Sequence, residues 1–284
     1  MKHNVYISKA IRFISILTIF ATFFALTSCM YMIPLDKMEN IFQQDNITEG
    51  FDNVVDYTVT EKDLQTGSLV LADNHRYNYE FTADELELIG TYRNNNLVTD
   101  ESGKAIGKYY MNSQSQMKLT KEAVVAAHNM LVDAEKAVQK DDILINYTYG
   151  YNEGDNEEYK TALVIYLTNY DGAKLDSDYG RWLDENAVKY GFIESFEDGF
   201  RYVGMPHAKA ISESNNITSL VDYVEYLKTN TDINKTVEIV IDGATYMIYY
   251  VACTEGDTIK IPADYEYTIS GTNEGGVIVT VKTH

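Results

Sequence analysis

Trp182-Leu-Asp-Glu-Asn-Ala-Val-Lys-Tyr-Gly-Phe-Ile193, followed by Phe200-Arg-Tyr-Val-Gly204 and His207-Ala-Lys-Ala-Ile211, is the stretch on which the fold of this 284-residue chain turns. Residues 178–190 read as a helix, and Gly191 is its stop signal. Pro206 opens a short second helix, and Ile217–Lys228 makes a third. Upstream, Val124, Ala127, Leu131, Ala134 and Val138 recur at helical spacing behind Thr120, whose hydroxyl is a cap. Position N3 is Ala123 and not Glu, so the capping box is incomplete. Asp142–Thr148 and Ala162–Thr168 read as strands. Helix and strand patterns therefore alternate from residue 60 to residue 228.

After Asn230 the grammar changes. Val237–Ile241, Tyr246–Ala252, Thr258–Ile261, Tyr265–Ser270 and Val277–Val281 are short β-branched and Tyr-rich runs. Asp242-Gly243, Glu255-Gly256, Pro262 and Asn273-Glu-Gly-Gly276 separate them as turns. Residues 229–284 are thus expected to form a small all-β domain, a packing or spacer module with no visible chemistry.

Composition narrows the function. A net charge of −20 opposes nucleic-acid binding, which needs Lys and Arg to displace counterions from phosphates. Two cysteines allow neither a disulfide scaffold nor a four-thiolate zinc site. Of five histidines, His3 and His284 lie at the ends, which leaves His75, His128 and His207 as interior candidates. The chain carries 24 tyrosines. Cys253 falls in a strand-like apolar run and reads as a buried, inert thiol.

The amino terminus sets an address. Lys2, Lys9 and Arg12 precede the apolar run Phe13–Leu26, the layout of an export signal. Leu26-Thr27-Ser28-Cys29 looks like a bacterial lipobox, which implies cleavage after residue 28 and diacylation of Cys29. The alternative is an uncleaved transmembrane anchor, since no charge lies between Arg12 and Asp36. Either way the chain is expected on the extracellular face of the cytoplasmic membrane. Cleavage would remove three basic and no acidic residues, so −20 becomes −23, a surface repelled by anionic lipid. Residues 29–59, mixed and polar, read as a tether, and residues 60–228 as the main domain.

The opening stretch resembles the VanY-like zinc D-alanyl-D-alanine carboxypeptidases, which share its WLxxNAxxYGFI and FRYVG strings at this interval. The resemblance extends more weakly from Gly67 to Lys228. Ser68-Leu-Val-Leu-Ala-Asp-Asn looks like the family's entry strand, and the Thr120–Gln139 helix and Ile143–Tyr151 strand follow in the expected order. It implies a small α+β fold in which zinc activates water to remove the last D-Ala from peptidoglycan stem peptides. Such a zinc needs three protein ligands, an open position for water and a carboxylate base.

The family pattern supplies His and Asp from Ser-x-His-x-x-Gly-x-Ala-x-Asp, and base and second His from Glu-x-x-His before Phe-Arg-Tyr-Val-Gly. Here Tyr159 stands at the first His position and Tyr166 at the Asp position. Phe196 stands at the Glu position and Gly199 at the last His. A one-residue gap would bring Glu197 towards the base role. The family's substrate-gripping Ser-Gly-Tyr-Arg turn reads Asn146-Tyr-Thr-Tyr149, without the Arg. No zinc is therefore expected. Asp155, Glu157, Glu158, Glu194, Glu197 and Asp198 are acids near the old site that a rearranged metal site would have to use, or simply a solvated loop. No Gly-x-Ser-x-Gly elbow, no His segment to pair with Ser195 and no glycine-rich phosphate loop is present.

The expected product is a surface lipoprotein with a carboxypeptidase-like domain that binds without cleaving. Its cleft candidates are Tyr147, Tyr149, Tyr151, Tyr159, Tyr166, Glu197 and Arg201, and its partner a peptidoglycan stem peptide or a cell-wall protein. Tyr159 and Tyr166 alternatively fill the volume the metal site vacated. The competing class is an active metallo-carboxypeptidase with a displaced metal site.

Overall fold

The structure is a computed structural model that describes residues 51–72, 77–97, 102, 110–152 and 156–283, all within one compact unit, Asp45–His284. The leader, Cys29, His75 and Asp155 lie outside the described residues. Among those described, no helix is long and apolar enough to cross a membrane.

The chain enters through β1 (Val54–Thr58) and α1 (Glu61–Gln65), where Thr60 and Asp63 form a reciprocal capping box. Then come β2 (Leu86–Leu88), α2 (Ile89–Asn95), β3 (Met111–Asn112) and β4 (Lys118–Thr120). The long helix α3 (Lys121–Val138) starts under the Thr120 cap, which accepts the Ala123 N–H at 3.4 Å. Next are β5 (Leu144–Tyr147), a 3₁₀ turn at Glu157–Thr161, β6 (Val164–Thr168) and α4 (Ser177–Asn186). A second 3₁₀ turn, Ala187–Tyr190, ends at Gly191 in the left-handed region (φ 81°), as its stop signal requires. β7 (Phe192–Phe196), β8 (Gly199–Tyr202), α5 (Met205–Glu213) and α6 (Leu220–Asn230) complete this half.

Strands β3, β5, β6, β8 and β7 form one sheet in that order; β3 runs parallel to β5, and the other pairs are antiparallel. The apolar face of α3, with Val124, Ala127, Leu131 and Ala134 all at most 2% exposed, packs with Ile145, Ile165, Leu167, Phe192 and Phe200 in one core. Burial of that stripe, at roughly 25 cal/mol per Å2 of apolar area, fixes which face of the sheet is inside. Period-2 alternation then turns Tyr166 and Gly199 to the opposite face, and a register shift in β5 between Ile145 and Tyr147 brings Tyr147 there as well.

The C-terminal runs become β9 (Val237–Ile241), β10 (Ala244–Ala252), β11 (Thr258–Pro262), β12 (Glu266–Gly271) and β13 (Gly276–Lys282). They do not form one sheet. β12-β13-β10-β9 is a four-stranded antiparallel sheet, while β11 pairs with β1, five residues assigned by composition to the tether. Val59, Ile259 and Ile261 pack with Tyr249, Val277, Val279 and Val281 in a second core, which also holds Cys253 (6% exposed). Burial pushes the Cys253 thiol up, the behaviour of an inert side chain.

The expected entry strand at Ser68 is not a strand. Leu69, Val70 and Leu71 are buried as coil, their backbone groups bonded one at a time. Ser270 Oγ accepts from Leu69 N–H, Thr272 O from Leu71 N–H, and Val70 O accepts from Arg201. Buried backbone need only be paired, and here side chains supply what a ladder would.

Candidate functional site

Three of the four positions at which the resemblance calls for metal ligands and base, Tyr166, Phe196 and Gly199, fall in one row of the five-stranded sheet. Tyr147 lies opposite Tyr166 across β5 and β6, Tyr166 opposite Gly199 across β6 and β8, and Gly199 opposite Phe196 across β8 and β7. Tyr166 and Phe196 are two strands apart, about 10 Å by strand spacing. Their ring centroids nevertheless lie 6.4 Å apart with planes at 20°, because the Phe196 ring leans over Gly199. A Cβ at Gly199 would come within 2.1 Å of the Phe196 ring, so only glycine fits beneath it.

The stack extends at both ends. Tyr147 lies on Tyr166 at 5.6 Å and Tyr151 on Tyr147 at 5.9 Å, both stacked. Tyr159, brought in by the 3₁₀ turn Glu157–Thr161, meets Phe196 edge-on at 6.0 Å. Offset-stacked and edge-to-face pairs each contribute about 0.5–1.5 kcal/mol beyond burial. Tyr159 is 5% exposed, and burial pushes its phenol well above the ordinary tyrosine range. Tyr147, Tyr166 and Phe196 are half-buried and Tyr151 is exposed, so one side of the ladder faces solvent.

Tyr149 does not join it. Its ring packs edge-on against Phe81 at 5.6 Å, and Phe81 in turn against Tyr79 at 5.0 Å. Tyr149 lies past the end of β5, in the tight turn closed by the Thr148–Tyr151 bridge and itself bridged to Lys118, a break that alternation alone does not reveal. Arg201, counted among the cleft residues, is fully buried; it donates to Val70 O at 2.5 Å and pairs with Glu158 at 3.4 Å.

The carboxylates are scattered. Glu197 is exposed in the β7–β8 turn and paired with Lys174 at 2.6 Å, which holds its carboxyl below the usual range. A general base near neutral pH needs the opposite shift, so the displaced-base role is not supported at Glu197. Glu194 accepts from the Asp198 N–H at 3.2 Å, and Glu157 pairs with Lys160. Among the described residues, no group of three His, Cys, Asp or Glu is placed to hold a metal ion. His128 bonds Tyr110 Oη at 3.2 Å, and His207 lies between Tyr223 Oη and Thr280 Oγ1, each at 3.0 Å. Burial drives the His207 pKa down to about 3, which marks a neutral structural imidazole.

Zinc does not fit these residues. Its positions hold two phenols, a phenyl ring and a glycine, and the ring occupies the space over Gly199 into which an imidazole from that position would extend. What the surface offers instead is a row of aromatic edges with phenol hydroxyls.

Sequence reasoning missed two interior features. Tyr77 and Glu135 are buried polar groups, at 2% and 5% exposure, and neither stands out in a pattern. Glu135 lies on the core side of α3 only because the helix turns it there, where it accepts the Ile143 N–H at 3.3 Å.

No protein-family model matches the chain. It is similar to a D-alanyl-D-alanine carboxypeptidase of Enterococcus faecium, 28% identical over 279 residues, covering 87% of this chain and 84% of the relative. The solved vancomycin resistance D,D-dipeptidase VanXYg, in complex with a D-Ala-D-Ala phosphinate analogue, superposes with a TM-score of 0.58. That alignment covers 81% of this chain and all of the other at 19% identity, a likeness of fold.

Proposed function

We propose that the chain is a member of the VanY-like D-alanyl-D-alanine carboxypeptidase family and a surface lipoprotein that binds peptidoglycan stem peptide without cleaving it. The observation that carries this reading is the ladder Tyr151–Tyr147–Tyr166–Phe196–Tyr159, closed over Gly199 where a ligand would stand. Zinc peptidase chemistry needs three donors and an open coordination position, and the ladder supplies neither. Half-exposed tyrosines combine apolar area with a hydroxyl at little entropic cost, the composition of a recognition surface. The D-alanine methyl groups pack on the ring edges, and the phenols bond the peptide backbone. Cys29 carries the lipid that holds the domain at the membrane, and the −23 charge of the mature chain keeps it standing off.

The test uses the full-length chain purified in detergent. Metal analysis gives no bound zinc, a stem pentapeptide releases no D-Ala, and the same peptide binds saturably with affinity lost in Tyr166→Ala. Stoichiometric zinc together with D-Ala release overturns the proposal, as does a peptide affinity indifferent to Tyr166. Replacement of Cys29 by Ala moves the chain out of the lipid-labelled fraction.

A further inference from the structure

A second concavity, which shares no residue with the ladder, lies between the start of α5 and the β12–β13 face of the four-stranded sheet. It is a groove of about 820 Å3, within the usual size range of ligand sites. Gly67, Ser68 and Glu122 also line a deeper pocket of about 160 Å3, so the two adjoin. Tyr77 forms part of the pocket wall, and its buried hydroxyl has no hydrogen-bond partner among the described residues. Buried phenol hydroxyls are nearly always paired, and an orphan points to a group the site is built to receive. Burial pushes the Tyr77 phenol up, so the hydroxyl stays neutral and both donates and accepts.

The lining sets the chemical class. Strand register places Glu266, Thr268 and Ser270 of β12 on one face with Thr280 and Lys282 of β13, and Tyr246 of β10 lies opposite Lys282. That face is hydroxylic and charged, whereas Val279 and Val281 turn to the apolar core behind it. The pocket adds the hydroxyls of Ser68 and Thr161 and the ring of Phe81. Across pocket and groove, Glu85 is already paired with Lys62, and Glu122 and Glu266 face one lysine, Lys282, and a neutral His207, a balance that disfavours phosphate or carboxylate ligands. Carboxylates and hydroxyls that accept and donate, set beside aromatic faces, match a neutral polyhydroxyl chain.

We infer that this groove binds a neutral oligosaccharide, with one ring in the pocket where a hydroxyl or acetamido group pairs with Tyr77 Oη and the chain continuing along Tyr246. The inference is independent of stem-peptide binding at the ladder. The probe is a β-1,4-linked N-acetylglucosamine tetramer titrated calorimetrically into the full-length chain in detergent. Saturable binding is expected, weakened about fivefold by Tyr77→Phe, the loss of one hydrogen bond, and weakened also by Glu122→Gln. Tyr77→Phe removes only an unpaired hydroxyl, so it folds; Tyr166→Ala leaves sugar affinity unchanged. Absence of saturable binding at millimolar sugar overturns the inference. So does a sugar affinity untouched by both groove variants, which would make Tyr77 a packing residue only. Groove variants that weaken the stem pentapeptide and not the sugar overturn it in favour of a peptide site.

Discussion

Adding a single methyl at Gly199 tests whether the aromatic ladder is a built structure. The new Cβ of Gly199→Ala would lie 2.1 Å from one Phe196 ring carbon and 2.4 Å from two others. Ordinary carbon contacts are about 3.5–4.0 Å, so the ring must move by well over an ångström. The ring is half-buried and can swing aside, at the loss of its contacts with Tyr166 and Tyr159. At about 0.5–1.5 kcal/mol each, that loss is about 1–3 kcal/mol. In a Phe196→Ala background the obstruction is gone, and Gly→Ala in a strand becomes neutral or slightly stabilising, by about 0.5–1 kcal/mol. A double-mutant cycle should therefore report a coupling of about 1–4 kcal/mol, above the few tenths expected of independent sites. Urea unfolding of the four proteins, followed by near-ultraviolet circular dichroism, gives the cycle. If Gly199→Ala costs the same with and without the Phe196 ring, the ladder argument fails, and with it the reading that the rings replaced a metal centre.

Three further outcomes follow, two of them from buried groups. Glu135 has its carboxyl raised to about 9 by burial, so the folded state holds a proton that the unfolded chain has lost above about 4.5. Stability attributable to this group falls as pH rises between those values, by up to about 1.4 kcal/mol per unit, and Glu135→Gln should flatten the decline in a melting-temperature series. His207 works in the opposite direction: with its pKa held at about 3, the unfolded state takes up the proton first. Its contribution is present above about 6.5 and lost towards pH 3, and His207→Gln should lessen acid sensitivity in the same series while weakening the contacts to Tyr223 and Thr280. Prolonged exposure to a chelator should leave the melting temperature unchanged; a drop would reveal a metal that contributes folding energy.

Much of this molecule was legible in its residues. The 3.6 and 2.0 periodicities place the helices at 121–138 and 177–190 and the C-terminal strands to within a residue or two, because burying an apolar stripe is a local requirement. The WLxxNAxxYGFI and FRYVG strings carry the family resemblance by themselves, and the four substituted positions could be named from them. The sequence alone also determined that Tyr159, Tyr166, Phe196 and Gly199 lack the donors of a zinc site, since donor chemistry belongs to the residue type. Where those side chains go was another matter. Only strand register puts Tyr166, Gly199 and Phe196 in one row, and only then does the glycine become the floor of a stack. The bulge in β5 that sets Tyr147 beside Tyr166, the pairing of β1 with β11, and the burial of Arg201 against Val70 all join residues far apart in the chain. Local propensity has no term for such encounters, so they were settled by packing.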